Sequence, residues 1–447
     1  MKLSTQPYKG TRDFFPKEMR QRSWIFDRLR RSVQGFGYQE YDGPMLEPFD
    51  LYAAKSGEEI VNQQLYWLVD KGERKMAIRP EMTPTLARMV AACMNEAPKP
   101  LRWFSIPNLW RYERPQRGRL REHWQLNVDI LGGDQRAADL ELLELALSIF
   151  RAFGGEAFFQ IRVNNRRLVD AFFLGRLGLG SEAAKKLARL VDAKDKMEPA
   201  AYRTQLDDLG LSASALADLE IFLTSDLAGL RQRFWTPEGS VDMKGTEALA
   251  SALSEVDELF SGLKAAGLAD RVVFDPTIMR GLDYYTGLVF EGFDVSPENR
   301  RALFGGGRYD NLVGLFSKQE LSGVGFGLGD VTLAQFLETH GLLKEEEMQP
   351  FVDVFIGVSE AAHAGGARAL ARKLREAEGC RPLRVVFSTE TSPMKKLLQE
   401  ALRSGAAYFA TVDASEPGLI LIKDLAKHEQ KTLTPDAALR EMVGRYS

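Results

Sequence analysis

Apolar and polar positions alternate cleanly in WQLNVDIL, residues 124–131. Trp124, Leu126, Val128 and Ile130 fall on one face, and Gln125, Asn127 and Asp129 on the other. A period of two predicts a half-buried strand. The aromatic and branched residues that begin at Leu101 predict a strand before it, so Leu101–Gly132 reads as a hairpin. Apolar residues at helical spacing (Trp24, Ile25, Leu29, Val33) predict a helix over Lys17–Phe36, with Pro16 in its first turn. QLYWLVD and MAIRPEMT read as a strand pair turning at Lys71-Gly72, after which Thr83 and Pro84 cap and open a helix over Thr85–Met94. Residues 135–153 predict an amphipathic helix and Phe158–Val163 a strand. Residues 166–269 are helical in period and poor in strands, as in a helical insertion.

Strand patterns resume with VVFDPTI and GLVFEGF, and GVGFGLGDVTLAQF reads as a glycine-interrupted strand running into a helix. The charged KEEEMQP, closing at Pro350, marks a linker. Beyond it VDVFIGV, LRVVFS, AYFATVD and PGLILIKDL alternate with helical segments, the signature of a compact α/β domain. The fold class is α+β.

Composition narrows the chemistry. With 447 residues and 45% hydrophobic content, the chain can form several cores. A formal net charge of −3 argues against a uniformly basic coat, while leaving room for a local basic patch. Two cysteines favour a reducing compartment over a disulfide framework. The four histidines are scattered without metal-ligand spacing, so no metal site is expected. No apolar run reaches membrane-spanning length and the N-terminus lacks a signal-peptide core, so a cytoplasmic protein is expected.

The hairpin loop holds Arg111, Arg114, Arg117, Arg119 and Arg121 around Gly118. Guanidinium groups match phosphate oxygens, and the carboxylate-bearing strand face beside them suits an ammonium group. An arginine-rich tip is equally a solvated hairpin end. In MAIRPEMT, Arg79 and Glu81 fall on alternate positions of an extended segment. They read either as an ion pair at a helix start or as a carboxylate aimed at the amino group near Asp129. Arg280, Asp283, Tyr284 and Tyr285 crowd one bend between strands, and Gly305-Gly306-Gly307 reads as a turn or as a close approach to a ligand.

The motifs YKGTRDFFP, MLEPFDLYAAKSGEE, IRPEMT, RYERPQRGRLREHWQL, RGLDYYTGLVFE and GGGRYDNL together resemble the histidyl-tRNA synthetase family, of class II, over essentially the whole chain. The resemblance implies a catalytic domain on an antiparallel sheet, in two parts. Residues 1–165 would carry motifs 1 and 2, and residues 271–343 the histidine-specific motifs and motif 3. A helical insertion over 166–270 would interrupt it, and an anticodon-binding domain would occupy 351–447. Histidine and ATP, with Mg²⁺, would form histidyl-adenylate, and the histidyl group would pass to the histidine tRNA, in a homodimer. Glu81, Thr83, Gln125, Asp129, Tyr284, Tyr285 and Tyr309 would contact histidine, with Asp129 standing where the family usually has Glu. Arg111, Glu113 and Arg280 would contact ATP, the two arginines acting in catalysis, and Gln116 and Arg121 would touch the tRNA acceptor end. The family's third motif usually ends in Glu-Arg, where this chain has Val331-Thr332. That departure favours a second reading, a histidine-sensing regulatory subunit of ATP phosphoribosyltransferase. The arginine-rich loop and the segment after Phe351 favour the ligase.

Overall fold

The structure is a computed structural model. It describes residues 3–54, 60–194, 197–234, 246–279, 285–310, 312–317, 320–348, 351–378, 381–413, 415–416 and 418–445. The chain divides into two compact units, Met1–Phe14 with Ile25–Leu343 and Phe15–Trp24 with Lys344–Ser447.

In the first unit the strands are β1 (Gln39–Glu40), β2 (Leu46–Pro48), β3 (Trp67–Val69), β4 (Lys75–Ile78), β5 (Leu101–Ser105) and β6 (Asn108–Trp110). They continue as β7 (Glu122–Leu131), β8 (Phe159–Asn165), β9 (Val272–Phe274), β10 (Leu288–Asp294), β11 (Ala302–Arg308) and β12 (Gly323–Gly329). A nine-stranded sheet runs β1-β5-β7-β12-β11-β10-β8-β9, with β6 also paired to β7. From β5 through to β8 every neighbouring pair is antiparallel. β2, β4 and β3 form a separate three-stranded sheet.

The alternation in β7 gives the central sheet two unlike faces. Leu126, Val128 and Ile130 are buried. They share a face with Phe326 of β12, Phe304 of β11 and Phe290 of β10, and two helices cover it, Gln135–Ala152 and Asp330–Thr339. Phe150 of the first helix stacks on Phe159 at 4.0 Å and meets Phe336 of the second edge-on at 5.2 Å. Gly306 lies on this face, where a Cβ would come within 2.3 Å of the Gly325 carbonyl and 2.5 Å of Phe326. The glycine triplet is therefore the middle of a packed strand, not a turn, with its neighbours Gly305 and Gly307 on the opposite face.

Other boundaries shift in ways that packing explains. The helix predicted from Thr85 spans Thr83–Cys93, and no side chain caps it. Thr83 is thus inside the first turn, with Pro84 at a position where its missing N–H is harmless. Arg79 does not pair with Glu81; buried to 4% exposure, it binds Asp42 at 2.8 Å and the carbonyls of Asn108 and Gly43. The turn between β3 and β4 is held by Asp70, whose side chain accepts from the Gly72 and Arg74 amides. Residues 166–265 carry helices with an aromatic core of their own, in which Phe172 stacks on Phe222 at 4.0 Å.

The second unit has a five-stranded sheet ordered β14 (Val385–Phe387), β13 (Val352–Ile356), β15 (Ala406–Val412), β16 (Ile420–Asp424), β17 (Glu429–Leu433). Helices Ala364–Arg375 and Pro435–Gly444 pack on one face and Met394–Arg403 on the other. β17 (EQKTL) is exposed along its length and carries no apolar alternation, which is why the sequence does not reveal it. Asp353, with no exposed surface, accepts two hydrogen bonds from Arg381 at 2.8 and 2.6 Å and one from the Arg384 amide at 2.7 Å. Asp353→Asn removes the charge but keeps the shape, and is expected to destabilise this unit by about 1–3 kcal/mol, read as a lower denaturant midpoint at unchanged slope. Among the described residues of the chain, no helix is long and apolar enough to cross a membrane.

Candidate active site

The polar face of β7 forms the floor of the candidate site. Asp129 pairs with Gly325, Asn127 with Gly327 and Gln125 with Gly329 on β12, and Gly325 and Gly327 pair in turn with Gly307 and Gly305 on β11. These glycines leave the space that the β7 side chains fill. A Cβ on Gly325 would lie 2.1 Å from Asp129 Oδ1, and one on Gly327 would lie 1.9 Å from Gln125 Nε2. The side chains of this row therefore lie flat over a bare backbone. Asn127 steadies the row by donating to the Gln125 carbonyl at 3.0 Å.

One end of the floor is anionic. Asp129 is buried, and its carboxylate accepts from the Tyr309 hydroxyl. No cation pairs with it among the described residues, so burial pushes its pKa up to about 7 despite that hydrogen bond. Burial also pushes the Tyr285 phenol up, reinforced by the charges of Glu81, Glu291 and Asp129. Three carboxylates therefore surround one ring that stays protonated. Glu291 was not singled out from the sequence. It is 5% exposed on β10, opposite Gly305, and only the sheet register brings it to this face.

The other end is cationic. Asp129 and Gln125 are four residues apart on β7, about 13 Å at the rise of a strand, and the arginines gather beyond Gln125. Arg111 follows β6, and its Nε donates to the Pro80 carbonyl at 2.9 Å, beside Glu81. Glu113 is buried and bonded to Arg119 at 2.5 Å. Arg121 donates to the Glu113 carbonyl at 3.1 Å and to the Tyr8 hydroxyl at 2.5 Å, and its guanidinium lies over the rings of Tyr8 and Tyr112. At the tip, Gln116 and Arg119 exchange backbone bonds around Gly118, whose φ is +75°. There Arg117 reaches only Asn299 at 3.2 Å and Glu298 at 3.8 Å. His123, in the midst of this cluster, has its pKa driven down to about 3 by burial and by Arg111, Arg12 and Arg119. It is a neutral ring at any physiological pH.

Of the site residues expected from the sequence, Asp129, Tyr285 and Tyr309 come together at the anionic end, with Glu81 acting on Tyr285, and Gln125 lies on the same face of β7 toward the arginines. Arg111, Glu113, Gln116 and Arg121 all belong to the arginine loop. Thr83 opens the helix just beyond Glu81. Arg280 and Tyr284 lie outside the described residues. Thr332 turns inward, its hydroxyl 3.0 Å from the Leu303 carbonyl and 3.1 Å from the Gly329 carbonyl. A site with carboxylates at one end and guanidiniums at the other suits a molecule carrying an amino group and a phosphate chain.

Comparison with known proteins agrees with this chemistry. The family model for histidyl-tRNA synthetase matches residues 10–331. A histidine–tRNA ligase of Leptospira biflexa is 42% identical over 100% of this chain and 99% of its own length. Those of Opitutus terrae and Thermococcus kodakarensis are 37% and 34% identical over nearly the whole of both chains, 98% and 97%. In fold the chain resembles the crystal structure of histidyl-tRNA synthetase from Nostoc sp. PCC 7120, with a TM-score of 0.82 and 24% identity over 99% of this chain and 100% of that one. It also resembles a Bacillus halodurans protein described as an ATP phosphoribosyltransferase regulatory subunit/histidyl-tRNA synthetase, with a TM-score of 0.71 over 90% of this chain and 97% of that one.

Proposed function

Because the chain belongs to the histidyl-tRNA synthetase family, we propose that it activates histidine with ATP and transfers the histidyl group to the 3′ end of the histidine tRNA. The observation that carries this reading is the separation of carboxylates and guanidiniums along β7. Full-length similarity to proteins named histidine–tRNA ligase favours it over the regulatory-subunit alternative.

Asp129, Glu81 and Gln125 hold the α-ammonium of histidine, with Thr83, Tyr285 and Tyr309 completing the pocket. Tyr284, assigned by resemblance alone, joins them. The substrate carboxylate is itself the nucleophile. It attacks the α-phosphorus of ATP, the bond to pyrophosphate breaks, and negative charge builds on the α-phosphoryl oxygens. Arg111, fixed against the Pro80 carbonyl before substrate arrives, is preorganised to stabilise that charge. Arg280 is assigned the same task from the opposite side, and Glu113 keeps the arginine loop in order through Arg119. ATP brings Mg²⁺ on its phosphates as part of the substrate. No protein base is needed, and His123, buried and neutral, is not one. Gln116 and Arg121 meet the tRNA acceptor end. Residues 1–165 with 271–343 act as the catalytic domain, 166–270 as the insertion and 351–447 as the anticodon-binding domain.

A homodimer would cover the exposed apolar side chains of the small sheet, Met45, Leu46, Trp67 and Val69. The cytoplasm supplies ATP and tRNA. Histidine-dependent ATP–pyrophosphate exchange tests the reading. The unaltered protein is expected to exchange, and Arg111→Ala to lower kcat about a hundredfold with little change in the KM for histidine. No exchange alongside measurable histidine binding would overturn the ligase reading in favour of the regulatory one.

A further inference from the structure

We propose that Arg12 is an ATP-binding residue of this chain, a guanidinium carried on the N-terminal segment and held by Asp330 where β12 ends, serving the phosphate tail that Thr332 cannot reach. The proposal rests on the ligase reading above and deepens it. The resembled family's third motif usually ends in an arginine just past β12, where this chain has Thr332. Thr332 offers no cation: it is neutral, and its hydroxyl is occupied by two backbone carbonyls of its own surroundings.

Arg12 is brought to this place by three contacts. First, the Gly10 carbonyl accepts from the amides of Arg121 and Glu122 at 2.9 and 3.2 Å, which pins the segment beside the start of β7. Second, Asp330, 8% exposed, divides its carboxylate. Oδ1 accepts from the Trp124 amide at 2.9 Å, extending the β7–β12 ladder by one side-chain rung, and Oδ2 accepts from Arg12 Nη2 at 2.7 Å. Third, the Arg12 guanidinium lies 4.9 Å over the Phe14 ring, which meets Trp124 edge-on at 5.4 Å.

The clamp leaves part of the cation's donor set unpaired. A guanidinium has five N–H groups; the bond to Asp330 uses one, and Nε is buried without a protein partner. The side chain keeps 28% of its surface accessible. Arg12 also acts electrostatically on the same imidazole, His123, as Arg111 and Arg119 do. A planar donor fork held through one terminal nitrogen, Nη2, keeps donors that match phosphate oxygens. In this arrangement Asp330 is a positioning residue and Arg12 the contact.

Pyrophosphate exchange, with ATP and histidine varied separately, tests the assignment. Arg12→Ala is expected to raise the KM for ATP tenfold or more and leave the KM for histidine within about twofold, while the melting temperature falls because the buried Asp330 carboxylate loses its cation. Arg12→Lys should recover part of the loss, and Thr332→Arg placed in the Arg12→Ala chain should recover more. An unchanged KM for ATP overturns the proposal. So does a parallel rise in both KM values, the signature of a clamp that only holds the fold. If Arg12→Ala fails to fold, Arg12→Gln, which keeps a donor for Asp330, is read by the same criteria. If the unaltered protein shows no exchange, the ligase reading fails; calorimetry with a non-hydrolysable ATP analogue then decides Arg12 alone, and equal affinity in the parent and Arg12→Ala overturns it.

Discussion

Asp129→Asn is expected to raise the histidine concentration for half-maximal exchange by two to four orders of magnitude, with the KM for ATP little changed. The carboxylate is buried, faces no cation among the described residues and has Tyr309 as its hydrogen-bond donor. The ammonium of histidine is its natural partner. Removing one member of such a buried pair costs about 3–5 kcal/mol, because the other is left desolvated. The amide keeps the shape and accepts the Tyr309 bond, so the loss reports charge and not packing.

The pH dependence follows with a definite sign. Burial raises the Asp129 pKa from 3.8 in the unfolded chain to about 7 in the ligand-free fold. Its contribution to stability is therefore full below pH 3.8 and is lost as pH rises through about 7, beyond which it is flat. The ligand-free protein should lose on the order of 4 kcal/mol across that window from this group. Histidine binding, which needs the carboxylate, should run the other way, strengthening up to about tenfold per pH unit and levelling above neutrality. Histidine titrates its own imidazole in the same range, so the comparison is with Asp129→Asn, which keeps the substrate's titration and loses the protein's.

The other large effect is expected from a single methyl group. Gly325→Ala places a Cβ 2.1 Å from Asp129 Oδ1 and 2.7 Å from the Val128 carbonyl. The carboxylate could swing aside only by leaving its site, and the carbonyl belongs to a strand paired on both edges. Exchange should fall at least a thousandfold, with a stability loss of several kcal/mol from strain in a packed sheet. Gly314→Ala is the control, because nothing lies within 4 Å of the Cβ it would add. Equal activity in the two variants would falsify the account of a glycine floor.

Why β7 was legible and its surroundings were not has a physical basis. A strand buried on one face writes its orientation in alternating polarity, and Trp124 to Ile130 do so. The arginine loop was visible as charge. The three glycines of β11 were ambiguous, because glycine marks turns, ligand approaches and crowded strands alike; only pairing with β10 and β12 settles which. Glu291 looked like any strand glutamate until register set it against Gly305. Arg79 looked like a partner for Glu81, but a buried guanidinium is satisfied by several acceptors at once, and Asp42, Gly43 and Asn108 supply them. The meeting of Arg12 with Asp330 spans 318 residues of chain, and no local pattern announces it. Periodicity does not assign roles to the motifs, and their spatial arrangement is set by the fold.

The arginine loop is fastened unevenly. Its root carries the buried Glu113 carboxylate, which Arg119 reaches from the tip side, and the Arg121 guanidinium seated against Tyr8 and Tyr112, whereas Arg117 at its tip rests on Asn299 and the exposed Glu298. Exposed ion pairs contribute little, so the tip can lift and resettle while the root stays in place. The loop thus behaves as a cantilever: amides at Arg117 and Gly118 should exchange with solvent early and the Arg121 amide late. A bulky nucleic-acid end could then enter and leave by bending the free end, without disturbing the cations at the fixed one.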